Sequence, residues 1–432
     1  MTQNRFGRTS FLSALLSTAL LVNCSIAVAS EADNFPGHKS KIVGAYFEEW
    51  SIYGANYQVA DIQNSGAADA LTHVLYAFAN VSPTGQCAIA DTWADYLSPY
   101  VASVTGQPYT GPLYGNFAAL LQLKQLHPNL KVLISVGGAS ATNTAYFSAA
   151  AATAAGRSQL ASSCIDMFIN GNVATGISAA GLFDGIDIDW EFPTAADTEN
   201  FTALLTEFRN QLAKAGTKNK AYLLTIAAPA GSQNYSNIQL AAVAAQLDFL
   251  NMETYDYHGT WEATTNHAAP LSESPFDPAR GQGLYIDATI GAYLEAGVPA
   301  HKLVLGIPAY GRGWTGVPNR NYGLYQSSTG AAPSPSGDSL ATDGTATYRT
   351  LATLTSDGFA VHHDFFSLAD WLYNPTTETF WTYDDPISVT VKMAYARLRA
   401  GGLGGAFEWA IKDDDANATL VKTISKGLDW EP

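Results

Sequence analysis

The sequence predicts an α/β fold, a (β/α)8 TIM barrel with a small α+β subdomain inserted between the seventh and eighth strands. Eight short apolar runs recur along the chain, and helical patterns separate most of them. Alternating strands and helices imply a parallel sheet that is buried on both faces, and eight such units make a barrel. The chain has 432 residues and is 47% hydrophobic, which suffices for one large domain with a smaller one attached.

The N-terminus, residues 1–29, is predicted to be a signal peptide. Arg5 and Arg8 precede an apolar stretch from Phe11 to Val22, and Ala27-Val28-Ala29 offers a cleavage site. The apolar stretch is too short to span a membrane. Leu21-Val22-Asn23-Cys24 resembles a lipoprotein anchor, although Asn23 stands where a small residue is expected. We therefore expect a secreted protein, extracellular or periplasmic.

The barrel is expected to occupy residues 30–314 and 383–432. Its candidate strands are Ile42–Phe47, Thr72–Phe78, Val132–Val136, Gly185–Asp189, Leu223–Ala227, Phe249–Tyr255, Val304–Pro308 and Gly405–Trp409. Helical patterns between them include Asn116–Gln125, Ala150–Ile169, Asp197–Ala213 and Ile286–Ala296.

The interval between the last two strands is much longer than one loop and one helix. Residues 315–382 are first rich in Gly, Ser, Thr and Pro, and then aromatic around Phe365, Phe366, Trp371 and Tyr373. A structureless loop of this length is uncommon in a compact domain. We therefore predict that residues 315–382 form the inserted α+β subdomain.

The composition restricts the class of ligand. The formal net charge is −16, which argues against nucleic acid or an acidic membrane as a partner. Aromatic residues make up 12% of the chain, as suits sugar binding, although a large barrel also buries many aromatics. No C-x-x-C motif or His-rich cluster indicates a metal, and we expect no cofactor. We expect a monomer. Cys87 and Cys164 could pair, but sequence does not decide this.

The run Asp184-Gly-Ile-Asp-Ile-Asp-Trp-Glu191 carries the strongest chemical signal. Alternate residues of a strand share a face, so Asp187, Asp189 and Glu191 point the same way toward the strand's C-terminal end, where barrels place active sites. Burial and like charge raise the pKa of at least one of them, which keeps a carboxylic acid protonated for general acid catalysis. The alternatives are a calcium site or a solvated acidic loop, but calcium loops usually carry flanking Gly and Asn with carbonyl ligands and not interleaved isoleucines.

These residues resemble the D-x-x-D-x-D-x-E signature of family 18 glycoside hydrolases. Four further segments resemble family motifs in the same order along the chain: Ser135–Gly138, Glu253–Tyr257, Gly306–Trp314 and Gly404–Trp409. The opening segment Val43–Trp50 is similar to that of bacterial chitinases that carry the small α+β insertion. The resemblance covers residues from about 41 to 428.

The resemblance implies substrate-assisted hydrolysis of β-1,4 bonds between N-acetylglucosamine units, with retention of configuration. Glu191 would protonate the glycosidic oxygen, and the substrate's own N-acetyl carbonyl would be the nucleophile, an exception to the two-carboxylate scheme. Asp189 would orient that acetamide and Asp187 would share a proton with Asp189. Tyr255 would hydrogen-bond the acetamide carbonyl, and Asp184 would support the strand end.

The resemblance also implies binding residues for chitin or N-acetylglucosamine oligosaccharides. Trp409 would form the floor under the sugar at subsite −1, and the other expected binding residues are Tyr46, Phe78, Asp256, Trp261, Tyr310 and Arg312. For Trp50 and Trp381 we favour structural packing over binding.

Two departures from the family pattern bear on function. Glu253 stands where the family usually has Met, on the same face as Tyr255, and is expected either to raise a neighbouring pKa or to bind a sugar. Ala139 stands where many chain-degrading relatives have Trp, and the absence of Trp weakens any prediction of processive attack on crystalline polymer. Two alternative functions remain. One is an endo-β-N-acetylglucosaminidase acting on N-glycan cores. The other is a non-catalytic chitin-binding lectin, although lectins of this family replace the catalytic acid, which this chain retains as Glu191.

Overall fold

We describe residues 41–218 and 220–429 in a computed structural model of the chain. The predicted signal peptide, residues 1–29, and the lipoprotein alternative at Leu21–Cys24 lie outside these residues. Among the described helices, none is long and apolar enough to cross a lipid bilayer.

Fifteen strands and eleven α-helices build the described part of the chain. The strands are β1 (Ile42–Glu48), β2 (His73–Val81), β3 (Cys87–Ile89), β4 (Lys131–Gly137), β5 (Gly185–Asp189), β6 (Leu223–Ala228), β7 (Phe249–Met252), β8 (Leu303–Pro308), β9 (Tyr310–Thr315), β10 (Gly330–Ala331), β11 (Thr345–Thr347), β12 (Ala360–Asp364), β13 (Ala369–Asn374), β14 (Thr379–Tyr383) and β15 (Gly405–Trp409). The helices are α1 (Val59–Asn64), α2 (Gly115–Leu126), α3 (Ala141–Ala151), α4 (Ala154–Cys164), α5 (Thr198–Ala215), α6 (Ser232–Tyr235), α7 (Leu240–Gln246), α8 (Ile286–Glu295), α9 (Tyr348–Leu351), α10 (Pro386–Leu398) and α11 (Thr419–Asp429).

The barrel is a ring of eight parallel strands in the order β1-β15-β8-β7-β6-β5-β4-β2, closed by pairing of β1 with β2. The first and last strands of the ring are therefore neighbours. The predicted (β/α)8 fold class is confirmed, and each of the eight candidate strands is present. Strand β3 extends the ring as a hairpin at the C-terminal end of β2.

Two predicted elements differ from the structure. The strand predicted for Phe249–Tyr255 ends at Met252, because Thr254 N–H turns back to the Met252 carbonyl at 2.8 Å. The prediction of one helix over Ala150–Ile169 is wrong. Thr153 interrupts it, because its side chain accepts a hydrogen bond from Gly156 N–H and so caps the separate helix α4.

Strand alternation divides the barrel core into two regions. Tyr46, Leu75, Phe249, Val304 and Phe407 come from five different strands and pack together inside the ring. The alternate residues face outward and pack on the surrounding helices in the main core. Both faces of each strand are thus buried, as the apolar runs of the sequence predict.

A second, antiparallel sheet lies in sequence between β8 and β15. Its order is β10-β9-β14-β13-β12, with β11 paired to β9. Its separate core consists of Trp314, Val317, Leu324, Trp371, Tyr373 and Phe380. The sheet starts at Tyr310, so that β9 straddles the domain boundary that we predict at residue 315. The domain boundaries stay a prediction.

A disulfide joins Cys87 in β3 to Cys164 at the end of α4, with a Cα–Cα distance of 5.0 Å. It connects segments 77 residues apart in sequence. The bond therefore restricts the unfolded chain over a long loop.

Replacing Cys87 and Cys164 together by Ser is expected to lower the free energy of unfolding by about 2–5 kcal/mol, because the unfolded chain gains conformational freedom. Thermal melts of the double variant and the wild type measure the difference. Dithiothreitol should lower the melting temperature of the wild type and leave that of the double variant unchanged. Equal melting temperatures of the two proteins would contradict a stabilising role.

Candidate active site

A cleft of about 240 Å³ opens at the C-terminal ends of the barrel strands. Its lining residues are Glu48, Ala139, Asp189, Glu191, Glu253, Tyr255, Asp256, Tyr310, Arg312, Leu340, Thr345, Trp409 and Asp413. Seven of the eleven residues predicted for the site are among them: Asp189, Glu191, Tyr255, Asp256, Tyr310, Arg312 and Trp409.

Asp187 lies below the cleft and is fully buried. Its Oδ2 accepts hydrogen bonds from Tyr46 Oη at 2.9 Å and Ser135 Oγ at 2.8 Å. Its Oδ1 accepts from Thr225 Oγ1 at 2.5 Å and Asn251 Nδ2 at 3.2 Å. Burial raises the pKa of Asp187, while these donors lower it by favouring the charged form.

Three carboxyl groups meet above Asp187. One oxygen each of Asp189, Glu191 and Glu253 lies within 4.8 Å of the other two. Asp189 is buried, and its Oδ1 has no hydrogen-bond partner among the described residues. Burial, followed by the charges of Glu191 and Glu253, raises the pKa of Asp189 well above its usual range. Burial does the same for Glu253, with Glu191 as the next cause.

Burial raises the pKa of Glu191 from 4.5 to about 7, and the charge of Asp256 adds to the effect. A carboxylic acid with this pKa still carries its proton near neutral pH and can give it to a bound molecule. The carboxylate oxygens are also hard donors that could hold a cation, but the raised pKa values make protons strong competitors.

Asp184, at the other end of the motif, takes no part in the cleft. Its Oδ2 accepts hydrogen bonds from Lys124 Nζ at 2.7 Å and Val132 N–H at 3.0 Å. The residue therefore anchors the start of β5 to α2 and β4.

One wall of the cleft is held by an ion pair. The Arg312 guanidinium, on β9, donates to Asp256 through Nε at 2.8 Å and through Nη2 at 2.6 Å. Tyr310 Oη donates to the same carboxylate at 2.8 Å. Asp256 has a left-handed backbone with φ of 54°. Trp261 lies at the rim, 60% exposed, with its ring 5.6 Å from the Arg312 guanidinium.

Trp409 lines the cleft and belongs to a group of packed aromatic rings. Trp409, at the end of β15, stacks on Phe78 with ring centroids 5.7 Å apart and also contacts Tyr46 at 5.1 Å. Trp50 continues this row beside Phe78 at 5.9 Å and is 39% exposed. Trp381, in contrast, is part of the buried core.

Gly137 determines how closely β4 approaches β5. Its backbone φ is 130°, a conformation that residues with a Cβ atom rarely adopt. A Cβ at this position would overlap the carbonyl oxygen of Asp189. The S-x-G-G motif thus places the backbone of β4 directly against the acidic strand.

Sequence reasoning missed several residues that complete the site. Thr225 and Asn251 hold Asp187; each is a polar residue in an apolar strand, which is a readable signal. Glu48 and Asp413 line the cleft and both lie 2.8 Å from Lys412 Nζ, Glu48 through Oε2 and Asp413 through Oδ1. Glu48 lies in the segment Val43–Trp50, but no sequence pattern connects it with Lys412 and Asp413, which lie near the other end of the chain.

Comparisons of the sequence and of the structure with known proteins all find members of one family. The profile of the family described as "Glycosyl hydrolases family 18" matches residues 42–414. The chain is 35% identical to Chitinase A1 of Niallia circulans over 93% of this chain and 60% of that protein. It is 33% identical to Chitinase 1 of Aphanocladium album over 97% of this chain and 94% of that protein. The catalytic domain of psychrophilic chitinase B from Arthrobacter TAD20 superposes with a TM-score of 0.81 at 35% identity, covering 90% of this chain and 95% of that one.

The substitution Glu191→Gln is expected to stabilise the protein above neutral pH. The folded pKa of Glu191 is about 7 against 4.5 for the free side chain, so the folded state binds the proton more tightly. As the pH rises from about 4.5 through about 7, the side chain ionises more readily in the unfolded chain, and the folded protein loses stability. The neutral amide of the variant does not titrate and avoids this loss. We expect a gain of roughly 1–3 kcal/mol at pH ~8, shrinking to nothing at pH ~4.

Thermal melts over this pH range measure the effect. Glu295→Gln, at an exposed position on α8, is the matched control and should leave the melting temperature nearly unchanged at both pH values. A Glu191→Gln variant that melts with the wild type at the higher pH would overturn the raised pKa.

Proposed function

We propose that this chain, which belongs to glycosyl hydrolase family 18, is a secreted chitinase that cleaves β-1,4 bonds between N-acetylglucosamine units with retention. The observation that carries the proposal is the position of the Glu191 carboxyl, which lines the cleft within 4.8 Å of the buried carboxyl of Asp189 and whose pKa burial raises to about 7. The chain spans 60% of Chitinase A1 and 94% of Chitinase 1. These relatives support the substrate class by their names, and the residues of the cleft support the reaction.

Glu191 serves as the general acid. It lines the cleft while most of its surroundings exclude water, which keeps its pKa near 7. From there it gives its proton to the glycosidic oxygen as the bond breaks. The water that later opens the intermediate gives its proton back to the same carboxylate.

Asp189 receives the substrate's acetamide group. Its Oδ1 lies unpaired at the bottom of the cleft, so it is available to accept the acetamide N–H and turn the carbonyl oxygen toward the anomeric carbon. Tyr255 lines the same cleft and supplies a hydroxyl for that carbonyl. The substrate thereby provides the nucleophile, and a second carboxylate nucleophile is unnecessary.

Asp187 controls the charge of Asp189. Its four donors favour the ionised form of Asp187, and its charge contributes to the raised pKa of Asp189. The proton that the pair shares therefore rests mainly on Asp189 before substrate binds. As positive charge develops on the acetamide, the shared proton passes from Asp189 to Asp187, and Asp189 is left ionised to stabilise that charge.

The remaining residues bind the sugar chain. Trp409 offers a flat face under the sugar at −1, with Tyr46 and Phe78 behind it. Asp256, Tyr310 and Arg312 present hydrogen-bonding groups around the cleavage point. Trp261 at the rim stacks an aglycon sugar. No cofactor is needed for this chemistry.

The shape of the cleft favours a linear chitin chain over the N-glycan core of an endo-β-N-acetylglucosaminidase. Leu340 and Thr345 come from the segment between β8 and β15 and add a wall to the cleft. Ala139 lines the cleft where a Trp would stack a distant sugar, so we infer weak processivity. A lectin would not require the acid, the buried Asp pair and the Tyr together.

The substitution Glu191→Gln is expected to lower kcat on N-acetylglucosamine oligomers by a factor of at least ~10³ while changing the oligomer Kd little, because only the proton donor is lost. Product analysis of the wild type by anomer should show retention and dimer release. Activity should fall as pH rises through about 7, where Glu191 loses its proton. Near-normal turnover by Glu191→Gln, or release of glycans from a glycoprotein without chitin cleavage, would overturn the proposal.

The substitution Glu253→Met is expected to shift the pH–rate profile to lower pH, because the Glu253 carboxylate raises the pKa of Asp189. Glu253→Gln is the matched control: it removes the charge and keeps the shape. If the charge is the cause, both variants shift alike. Identical profiles for the wild type and Glu253→Met would show that Glu253 does not tune this pKa.

A further inference from the structure

A second cluster of chemically reactive side chains lies outside the cleft, at the junction of the antiparallel sheet and the barrel. It consists of His363 on β12, Asp370 on β13 and Asp385 immediately before α10. One donor atom of each lies within 4.8 Å of the other two. We propose that His363, Asp370 and Asp385 form a binding site for a divalent transition-metal cation such as Zn²⁺.

The sheet brings these residues together by register. His363 and Asp370 stand directly opposite each other in the antiparallel pair of β12 and β13. Asp370 in turn stands opposite Tyr383, the last residue of β14, and Asp385 follows two residues later. Main-chain hydrogen bonds of the sheet thus align two of the donors on neighbouring strands, and the third follows closely after the next strand.

The Asp370 carboxyl is the part of the cluster that requires a partner. Its side chain is only 4% exposed. Oδ1 is 2.5 Å from His363 Nδ1, but Oδ2 has no hydrogen-bond partner among the described residues. A buried carboxylate oxygen without a donor is costly, and a cation between Asp370 and Asp385 removes that cost.

The Asp385 carboxyl is held in a fixed orientation. Its Oδ1 caps α10 by accepting hydrogen bonds from Ile387 N–H at 2.6 Å and Ser388 N–H at 3.1 Å. The nearby Lys392 does not neutralise the cluster, because its Nζ is bonded to both oxygens of Asp384 at 2.7 and 2.5 Å. Lys392 is therefore not a partner of the two carboxyl groups. A cation would instead displace the proton that burial and the neighbouring Asp385 favour on Asp370, whose pKa they raise to about 7.

The donor set indicates the class of metal. One imidazole nitrogen and two carboxylates suit Zn²⁺ and similar cations, whereas Ca²⁺ and Mg²⁺ prefer oxygen ligands alone. Bonds of about 2.1 Å bring the donors together after small side-chain movements. The His363 side chain is 36% exposed, which gives the cation a route from solvent and leaves a coordination position for water.

The site connects two parts of the fold. His363 and Asp370 belong to the antiparallel sheet, and Asp385 begins α10, which packs against α11 and β15 of the barrel. A bound cation would therefore fasten the sheet to the barrel. The expected consequence is higher stability, with no part in the reaction at Glu191.

The test is calorimetric titration of metal-stripped protein with ZnCl₂, with thermal melts in parallel. All proteins carry Glu191→Gln. This substitution removes one of the three carboxyl groups in the cleft, those of Asp189, Glu191 and Glu253, so that the cleft does not compete for zinc. The test variants are His363→Gln and Asp370→Asn. His362→Gln is the matched control, because His362 lies next in sequence but stacks between Tyr322 and Trp371, at 4.4 and 5.1 Å.

We expect one equivalent of zinc to bind to the parent protein and the control, with at least roughly tenfold weaker binding in both test variants. Zinc at about a hundredfold excess over Kd should raise the melting temperature of the parent by roughly 3 °C and that of the test variants by less. Melts in EDTA show whether the variants are folded. Absence of zinc binding to the folded parent, or equal binding in His363→Gln, would overturn the site and indicate a proton between the carboxyl groups instead.

Discussion

The burial of one carboxylate, that of Asp187, organises the centre of the molecule. Its four hydrogen-bond donors, Tyr46, Ser135, Thr225 and Asn251, come from β1, β4, β6 and β7. A buried charge without such donors would cost several kcal/mol. The ring of strands must therefore close in a single register for the charge to be satisfied, and the same register places Asp189 and Glu191 above it.

Local sequence patterns sufficed for the barrel and for the acidic strand. Alternation in the run from Asp184 to Glu191 predicts both the strand and the face that its carboxyls share, because neighbours within one strand determine both. The end of β7 was not predictable in this way. The predicted strand continues to Tyr255, but the backbone turns after Met252, and Tyr255 and Asp256 line the cleft.

Contacts between distant segments were beyond the reach of spacing alone. Asp256 and Arg312 are 56 residues apart, and only the family resemblance placed both in the site. The pairing of Cys87 with Cys164 was open, because loop length does not fix the geometry that a disulfide requires. The cluster of His363, Asp370 and Asp385 has no motif at all, since strand register in the antiparallel sheet creates it.

The closure of the ring between its first and last strands has a consequence for biogenesis. Until β15 leaves the ribosome, β1 has an unpaired edge where Gly405–Glu408 will later bond, and Tyr46 lacks the ring of Trp409. An unpaired strand edge in a long chain with many distant contacts can pair with the wrong strand or with another chain. A nascent chain of this protein therefore has to be kept from premature pairing until nearly all of it has been synthesised.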